Sequence, residues 1–252
     1  MPKHITSDII ETAMVFAAGF GKRMRPITDK IPKPMVKISG KTMIDSALDK
    51  LAAAGVKKAV VNSHYLYDVL ESYLAQRKNP SPKIKISREQ DVILETGGGI
   101  VKALPILGSK PFFSVNSDIV WIDAKKPALQ RMLEKWNPEK MDVLMLLHPV
   151  EKAVGYEGKG DFDLLPDGRL KRNDNGKHEY VFTGVMITKP EIFQGLEEKP
   201  FSLYRDFLHA KYIQKDGSLN KMFGLVHDGQ WLHIGTPEGI EVAERYISGL
   251  TS

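Results

Sequence analysis

Short apolar runs alternate with helical patterns along the first half of the chain. Residues 13–18 are continuously apolar and stop at Gly19, as a buried parallel strand does. Apolar residues then recur at helical spacing from Met43 to Leu51, and Gly55 follows as a helix-ending glycine before the apolar run at 59–61. This order predicts a strand, a helix and a second strand, which together form one βαβ unit.

The same alternation continues as far as Asp118. It predicts a helix around 70–74, a strand at 83–86, a helix after the glycine triplet at 97–99, and a buried strand at 112–115. In open α/β sheets, ligands bind beyond the carboxyl ends of the strands. Gly19 and Asp118 therefore fall where a binding site is expected.

The second half of the chain has a more mixed pattern. It predicts a helix over 129–136, a strand over 143–147 and a hairpin turn at 166–168. The sequence Thr236-Pro237-Glu238 predicts the start of the last helix, with a hydroxyl cap, a proline in the first turn and a carboxylate facing the helix dipole. Without a repeat or a linker, we predict a single α/β domain over 1–252 with a substrate-binding part in its second half.

Composition narrows the classes of protein. The 252 residues are 42% hydrophobic and include no cysteine, which excludes disulfides, thiolate nucleophiles and cysteine-based zinc sites. No apolar run approaches the roughly 20 residues that span a bilayer, and residues 1–11 lack the pattern of a signal peptide. We therefore expect a cytoplasmic protein with no membrane partner. The net charge of +5 is dispersed and no nucleic-acid-binding motif is present, so we expect no nucleic-acid partner.

The segment after the first strand, Ala17-Ala18-Gly19-Phe20-Gly21-Lys22-Arg23, has the residue types of a phosphate-binding loop. Glycines let backbone N–H groups approach a phosphate, and nearby cations offset its charge. Met24 replaces the third glycine of a dinucleotide fingerprint, and the P-loop pattern is not met. By itself the segment is equally a tight turn between a strand and a helix.

Two further elements add candidate chemistry. Lys33 lies between Pro32 and Pro34, which restrict the backbone around a cation suited to a phosphate under attack, although an exposed proline-rich loop has the same sequence. Glu95 precedes the glycine triplet at 97–99, and each glycine at a helix start costs about 0.5–1 kcal/mol relative to alanine. Close approach of a base or ribose to bare backbone would explain this cost, and so would a wide turn.

Asp118 follows an apolar strand, where one carboxylate oxygen can bind Mg²⁺ that also bridges phosphates. Asp123 either assists or caps the next segment, and Asp142 is interpreted as structural. The histidines lack zinc-site spacing, and no G-x-S-x-G elbow for a serine nucleophile is present.

Taken together, these elements resemble the nucleotide-sugar pyrophosphorylase superfamily of NTP transferases. The resemblance is carried by Ala17 to Arg25, Pro32-Lys33-Pro34, Glu95 to Gly99, Asn116-Ser117-Asp118, Phe182-Thr183-Gly184-Val185 and Trp231 to Glu238. It implies a Rossmann-like three-layer αβα fold with a mixed, mainly parallel sheet, binding the nucleotide in about 1–125 and the sugar in about 126–252. It also implies nucleotide contacts by Ala17, Ala18, Gly19, Gly21, Glu95, Gly97 and Gly98, and catalytic roles for Arg23, Lys33 and Asp118, with Asp118 on Mg²⁺.

Within the superfamily, the chain is most similar to small bacterial uridylyltransferases that act on N-acetylmuramate 1-phosphate. Mannose-1-phosphate guanylyltransferases and glucose-1-phosphate thymidylyltransferases are near relatives. The resemblance implies a nucleoside triphosphate, with UTP favoured, and a sugar 1-phosphate as substrates of a direct in-line transfer that releases pyrophosphate. We expect a monomer or a homodimer.

Two departures from the family pattern concern the metal and the sugar. His233 stands where relatives commonly have an aspartate that binds a second Mg²⁺, so we consider Mn²⁺ at His233, phosphate binding by a protonated His233, or a ligand role for Asp228. This departure also motivates the alternative of a regulatory protein that binds nucleotide or sugar phosphate and transfers slowly. The family's E-K-P element is absent from 172–180, leaving Asp161, Thr183 and Gly184 as the sugar-side candidates.

Overall fold

The computed structural model describes residues 10–172 and 176–250. Two expectations, the lack of a signal peptide at 1–11 and of the E-K-P element at 172–180, lie partly outside these ranges. The strands of the described residues are β1 (Thr12–Phe16), β2 (Lys37–Ile38), β3 (Lys41–Thr42), β4 (Lys58–Ser63), β5 (Lys83–Arg88), β6 (Phe112–Asn116), β7 (Ile119–Ile122), β8 (Val143–Pro149), β9 (Asp163–Leu164), β10 (Arg169–Lys171), β11 (Tyr180–Thr188), β12 (Ser218–Val226) and β13 (Gln230–His233). The α-helices are α1 (Met43–Ala53), α2 (Tyr67–Ala75), α3 (Glu95–Leu107), α4 (Ala128–Lys135), α5 (His209–Tyr212) and α6 (Pro237–Leu250).

A nine-stranded sheet crosses both halves of the chain in the order β5-β4-β1-β6-β11-β8-β12-β10-β9. Two of these strands, β11 and β10, run against the other seven, so the sheet is mixed and mostly parallel, as expected. Because β1 pairs in parallel with both β4 and β6, the carboxyl ends of these three strands meet at one edge.

Helices cover both faces of the sheet and give the three-layer αβα architecture. Alternate residues of β1 take part in separate cores: Ala13 and Val15 pack with residues of α1, α2 and α4, whereas Met14 packs with residues of α3 and α5. A third cluster joins Met24 of the loop after β1 to α6 and β13. This cluster anchors the C-terminal helix beside the loop after β1.

The local sequence signals locate most elements. The structure confirms the βαβ unit at 13–61, the strand at 83–86 and the hairpin turn between β9 and β10. It also confirms Thr236 as the cap of α6, since Gly239 N donates a 3.3 Å hydrogen bond to Thr236 Oγ1. The glycine triplet was expected before its helix and instead lies within the first turns of α3. A π-helical turn at Leu203–Leu208 was not predicted.

The fold offers no membrane span: within the described ranges, the helices are too short or too polar to cross a bilayer.

Two histidines are enclosed in the interior where β8 and β12 end. His148 and His227 are 1% and 2% exposed, and their rings lie 5.9 Å apart. Burial lowers the pKa of both below the ordinary 6.5, and the neighbouring His227 lowers that of His148 further. In the unfolded chain both rings return to water. At mildly acidic pH the unfolded state therefore binds more protons than the folded state.

We expect the free energy of unfolding to fall as the pH decreases from about 7.5 to about 5.5, because protons bind preferentially to the unfolded chain below its histidine pKa. Substituting His148→Leu removes one of the titrating groups and should reduce this pH dependence. Urea unfolding of both proteins at the two pH values measures it. An unchanged pH dependence in the variant would contradict the assignment.

Candidate active site

A cavity of about 270 Å³ lies at the carboxyl ends of β1 and β6. It is lined by Phe16, Ala17, Gly19, Gly21, Lys22, Arg23, Met24, Lys33, Pro34, Ser117, Asp118 and Gly235. The three residues predicted to be catalytic, Arg23, Lys33 and Asp118, thus line one cavity together with the glycines of the predicted phosphate loop. Four charged side chains line this cavity, namely the cations of Lys22, Arg23 and Lys33 and the carboxylate of Asp118. Such a concentration of charge is typical of a site that binds a charged ligand.

The loop after β1 is held in a defined shape. Gly21 has φ of +61°, and a Cβ at this position would lie 3.0 Å from Thr28 Cγ2 and 3.1 Å from Lys33 Cβ. The Thr28 hydroxyl donates a 2.9 Å hydrogen bond to Gly21 O, and the Tyr65 hydroxyl donates to Thr28 O at 2.9 Å. Gly21 is therefore required both by its backbone conformation and by the closeness of Lys33.

Lys33 and Asp118 form an ion pair across the cavity, with 2.6 Å between Nζ and Oδ2. The Lys33 side chain is only 11% exposed, whereas Asp118 is 40% exposed. The pair compensates the largely buried charge of Lys33 while leaving the second carboxylate oxygen of Asp118 outside this hydrogen bond.

The Asp118 carboxylate fits one mode of Mg²⁺ binding. Within residues 10–172 and 176–250, no group of three or more histidine or carboxylate side chains is arranged to hold a metal ion. Mg²⁺ in nucleotide sites is commonly held by one or two carboxylates together with substrate phosphates. Asp118, exposed at the wall of the cavity, fits that mode.

The other aspartates considered from the sequence have structural partners. Asp123 accepts a 2.9 Å hydrogen bond from Ala128 N, which caps α4, and pairs with Lys50. Asp142 pairs with Lys189 and accepts from the Tyr212 hydroxyl, as the structural interpretation predicted. Asp228 pairs with Arg131. It lines neither the cavity of Arg23, Lys33 and Asp118 nor the neighbouring cavity that His233 lines, so its proposed ligand role is wrong.

His233 lies at the end of β13, which pairs with β7 and places His233 opposite Ile119, the residue after Asp118. It lines a neighbouring cavity of about 570 Å³ together with Arg23 and Tyr156. Burial lowers the pKa of His233, and the charge of Lys33 and then of Arg23 opposes protonation further, against an opposite effect of Asp118. The imidazole is thus neutral at neutral pH, which disfavours the protonated phosphate-binding role.

A second cavity of about 380 Å³ adjoins the first and shares Phe16, Gly19 and Asp118 with it. The remaining lining residues are Ala18, Asn62, Ile93, Glu95, Thr96, Asn116, Ser202 and Arg205. Ala18 and Glu95, both predicted to contact the nucleotide, line this cavity together. Glu95 has φ of +56°, which is rare for a residue with a side chain, and its carboxylate lies 3.7 Å from the Arg205 guanidinium.

The first two glycines of the triplet pack against another segment of the chain. A Cβ on Gly97 would overlap the ring of Phe201, and one on Gly98 would overlap the carbonyl oxygen of Lys199. Gly97 N also donates a 2.9 Å hydrogen bond to Phe201 O. The chain's own segment at 199–201 thus gives a structural reason for Gly97 and Gly98. Their contact with a base or ribose stays a prediction.

The three sugar-side candidates differ in accessibility. Thr183 is 1% exposed and its hydroxyl donates a 2.8 Å hydrogen bond to Leu146 O, so this hydroxyl is not available to a sugar and the prediction for Thr183 is wrong as to its side chain. Gly184 lies against Asn116, which lines the second cavity. Asp161 is half-buried, and its Oδ2 accepts a 2.9 Å hydrogen bond from Phe182 N.

Sequence reasoning missed several lining residues. Asn62 directly follows the predicted strand at 59–61, a position from which it was recognisable. Ser202 and Arg205 reach the cavity from a segment about a hundred residues beyond α3, as the 2.9 Å hydrogen bond from Leu203 N to Thr96 Oγ1 records. No local pattern marks that contact.

Comparison with known proteins gives concordant results. The profile of the family described as Nucleotidyl transferase matches residues 12–248. The chain is 41% identical over 239 residues to N-acetylmuramate alpha-1-phosphate uridylyltransferase of Caulobacter vibrioides, covering 94% of this chain and 96% of that protein. It is 36% identical over 224 residues to the protein of the same name from Neisseria meningitidis, covering 89% and 93%. D-glycero-alpha-D-manno-heptose 1-phosphate guanylyltransferase of Aneurinibacillus thermoaerophilus is 27% identical, with 93% and 97% covered.

Solved structures share the fold at lower identity. HddC from Yersinia pseudotuberculosis, complexed with GMP-PN, superposes with a TM-score of 0.74 at 21% identity, covering 94% of this chain and 100% of that one. UDP-glucose pyrophosphorylase complexed with UDP-glucose superposes with a TM-score of 0.67 at 19% identity, covering 95% and 99%. The predicted Rossmann-like fold is thereby confirmed.

The packing of the glycine triplet leads to a stability test. Gly98→Ala should destabilise the protein by about 1–3 kcal/mol, because a methyl group cannot fit against Lys199 O without backbone movement. The matched control Gly249→Ala, in α6 with open space around it, should be neutral or stabilise by up to about 1 kcal/mol. Chemical denaturation measures both. Unchanged stability of Gly98→Ala together with weakened nucleotide binding would instead support the base-contact explanation.

Proposed function

The chain belongs to the nucleotidyl transferase family, and on that premise we propose that it transfers a uridylyl group from UTP to N-acetylmuramate 1-phosphate. The products are UDP-N-acetylmuramate and pyrophosphate. The observation that carries the proposal is the meeting of Arg23, Lys33 and Asp118 in one cavity below a glycine loop. UTP and this sugar are taken from the names of the relatives at 41% and 36% identity.

The proposed reaction is a single displacement at phosphorus. A phosphate oxygen of the sugar 1-phosphate forms a bond to the α-phosphorus of the triphosphate, and the bond from that phosphorus to the bridging α–β oxygen breaks. The electron pair leaves with pyrophosphate, so no proton transfer to or from a side chain is needed for this exchange. The work of the protein is then to bring two anions together and to stabilise their charge.

The cations of the cavity suit this task. The ammonium of Lys33 has a largely buried stem and a fixed partner, so it loses little freedom when it meets a phosphate oxygen at the cavity wall. Arg23 is exposed on the loop, where its planar guanidinium can bind two phosphate oxygens. Backbone N–H groups around Gly19 and Gly21 complete the phosphate-binding surface.

Asp118 would hold Mg²⁺ jointly with the triphosphate, and the ion would supply further positive charge against the phosphates. A neutral His233 is a poor ligand for this hard cation. We therefore assign Asp118 as the protein carboxylate of the metal site and give His233 no metal-binding role.

A small apolar cavity supports a sugar that bears an acyl group. It has a volume of about 90 Å³, adjoins the second cavity through Phe16, Thr96, Asn116 and Ser202, and is further lined by Ser114, Met145, Phe182, Met186, Leu203, Tyr204 and Leu208. Its size suits a methyl or acetyl group, and methionine side chains adapt readily to such a substituent. A guanylyltransferase acting on mannose 1-phosphate or a heptose 1-phosphate is the second candidate, because relatives at 27–30% identity bear those names.

Pyrophosphate release measured over a grid of nucleotides and sugars tests the proposal. UTP, GTP, dTTP, CTP and ATP are each combined with the 1-phosphates of N-acetylmuramate, N-acetylglucosamine, glucose and mannose, with Mg²⁺ or Mn²⁺ present. We expect the highest kcat/KM for UTP with N-acetylmuramate 1-phosphate. A preference for GTP with mannose 1-phosphate would establish the second candidate instead.

The role of Asp118 is tested against a matched carboxylate. Asp118→Asn should lower kcat/KM by about a thousandfold or more, since the site loses its carboxylate for Mg²⁺. Asp228→Asn, which alters an exposed ion pair away from the phosphate cavity, should retain nearly full activity. Similar losses in the two variants would contradict the assignment of the metal site to Asp118.

A further inference from the structure

Two buried polar side chains form a network at the second cavity, which is lined by Asn62 and Glu95 and is taken in the proposed function as the nucleotide cavity. Asn62 is the penultimate residue of β4 with 3% of its surface exposed, and Glu89 follows β5 with 2% exposed. Neither was recognised from the sequence as part of the site. A buried carboxylate is costly unless its oxygens are hydrogen-bonded, so its retention at this place requires an explanation.

Three hydrogen bonds join these side chains into a chain across the floor of the site. Ala17 N donates to Asn62 Oδ1, Asn62 Nδ2 donates to Glu89 Oε1, and Leu94 N donates to Glu89 Oε2, each at 2.7 Å. Ala17 begins the phosphate loop, and Leu94 precedes α3. The network therefore connects two backbone segments that lie 77 positions apart in the sequence, and the next residue of each, Ala18 and Glu95, lines the second cavity.

The order of donors and acceptors in the network depends on the charge of Glu89. Glu89 forms no ion pair among the described residues, and its carboxylate accepts from two amide donors at the same time. Burial raises the pKa of Glu89, whereas the hydrogen bonds from Leu94 N and from Asn62 oppose that rise. An ionised carboxylate satisfies both donors, because each of its oxygens accepts one hydrogen bond.

Gly99 is adapted to the same network. A Cβ at this position would lie 3.1 Å from Asn62 Nδ2 and 3.1 Å from Glu89 Oε1. The third glycine of α3 thus leaves space for the hydrogen bond between these two side chains, while the first two accommodate the segment at 199–201.

We propose that Asn62 and Glu89 are positioning residues that fix the separation of the two walls of the nucleotide cavity. One wall is the loop from Ala17, and the other is the start of α3 with Glu95. The proposal rests on the proposed function only in taking this cavity as the nucleotide site. Neither residue needs to touch the reacting atoms, since each acts through a backbone N–H group that it holds.

Exchange of the two functional groups separates this role from a general effect on stability. In Glu89→Gln, an amide N–H group must face either Asn62 Nδ2 or Leu94 N, so two donors oppose each other. In the double variant Asn62→Asp/Glu89→Gln, the carboxylate at position 62 accepts from Ala17 N and from the new amide at position 89, whose oxygen accepts from Leu94 N. The exchange restores every hydrogen bond and moves the negative charge from position 89 to position 62.

The dissociation constant of UTP is measured by calorimetry, at a temperature at which circular dichroism shows each variant to be folded. We expect Glu89→Gln to weaken binding by about tenfold or more and the double variant to recover to within about threefold of the wild type. Tyr212→Phe, which removes a buried hydrogen bond to Asp142 elsewhere in the fold, should lower the Tm without changing the affinity.

Wild-type affinity for UTP in Glu89→Gln would overturn the proposal, even if its Tm is lowered. A double variant that regains its Tm but not its affinity would also overturn it. If Glu89→Gln does not fold, the affinity of the double variant is decisive: a value within about threefold of the wild type supports the proposal, and a weaker one overturns it. Failure of the wild type to bind UTP counts against the proposed function alone, and the same ratios are then measured with whichever triphosphate the wild type binds.

Discussion

The parallel pairing of β1 with both β4 and β6 is the constraint on which the site depends. It brings the ends of three strands to one edge, and these ends carry Ala17, Asn62 and Asn116. The ion pair of Lys33 with Asp118, two residues separated by 85 positions, follows from the same arrangement. Because β1 is buried on both faces by separate cores, its register is fixed by packing on each side. The loop after it therefore begins from a rigid support.

The chemistry of the site is divided between fixed positive charge and a single prominent carboxylate. Lys22, Arg23 and Lys33 line the phosphate cavity with Asp118, so the cavity has an excess of positive charge that suits a triphosphate. A neutral His233 at the position where relatives commonly have an aspartate removes one negative charge from its border. In the proposed reaction, the cations of the cavity would therefore supply much of the charge that opposes the two anionic substrates.

Sequence reasoning located the residues whose function has a local signal. The glycine loop after an apolar strand, Lys33 between prolines and Asp118 at a strand end all depend on neighbours within a few positions, and the structure brings them together. The glycine triplet shows the limit of such reasoning. Its cost did indicate a close approach of another group, but the group is Phe201 with Lys199, about a hundred positions away. The prediction for the Thr183 side chain is wrong for a related reason, because distant residues enclose it: its hydroxyl donates to Leu146 O of β8, and the indole of Trp231 donates to its carbonyl oxygen.

Long-range contacts also explain why the network of Asn62 and Glu89 has no signature in the sequence. An asparagine at the end of a strand and a glutamate in a polar segment are common on protein surfaces. They acquire a role only because β4 lies between β1 and β5, so that one side chain can reach the backbone of the phosphate loop and the other the backbone before α3. The sheet order thus determines which polar side chains can hold the backbone on the two sides of the cavity, and Asn62 does so while it also lines the cavity.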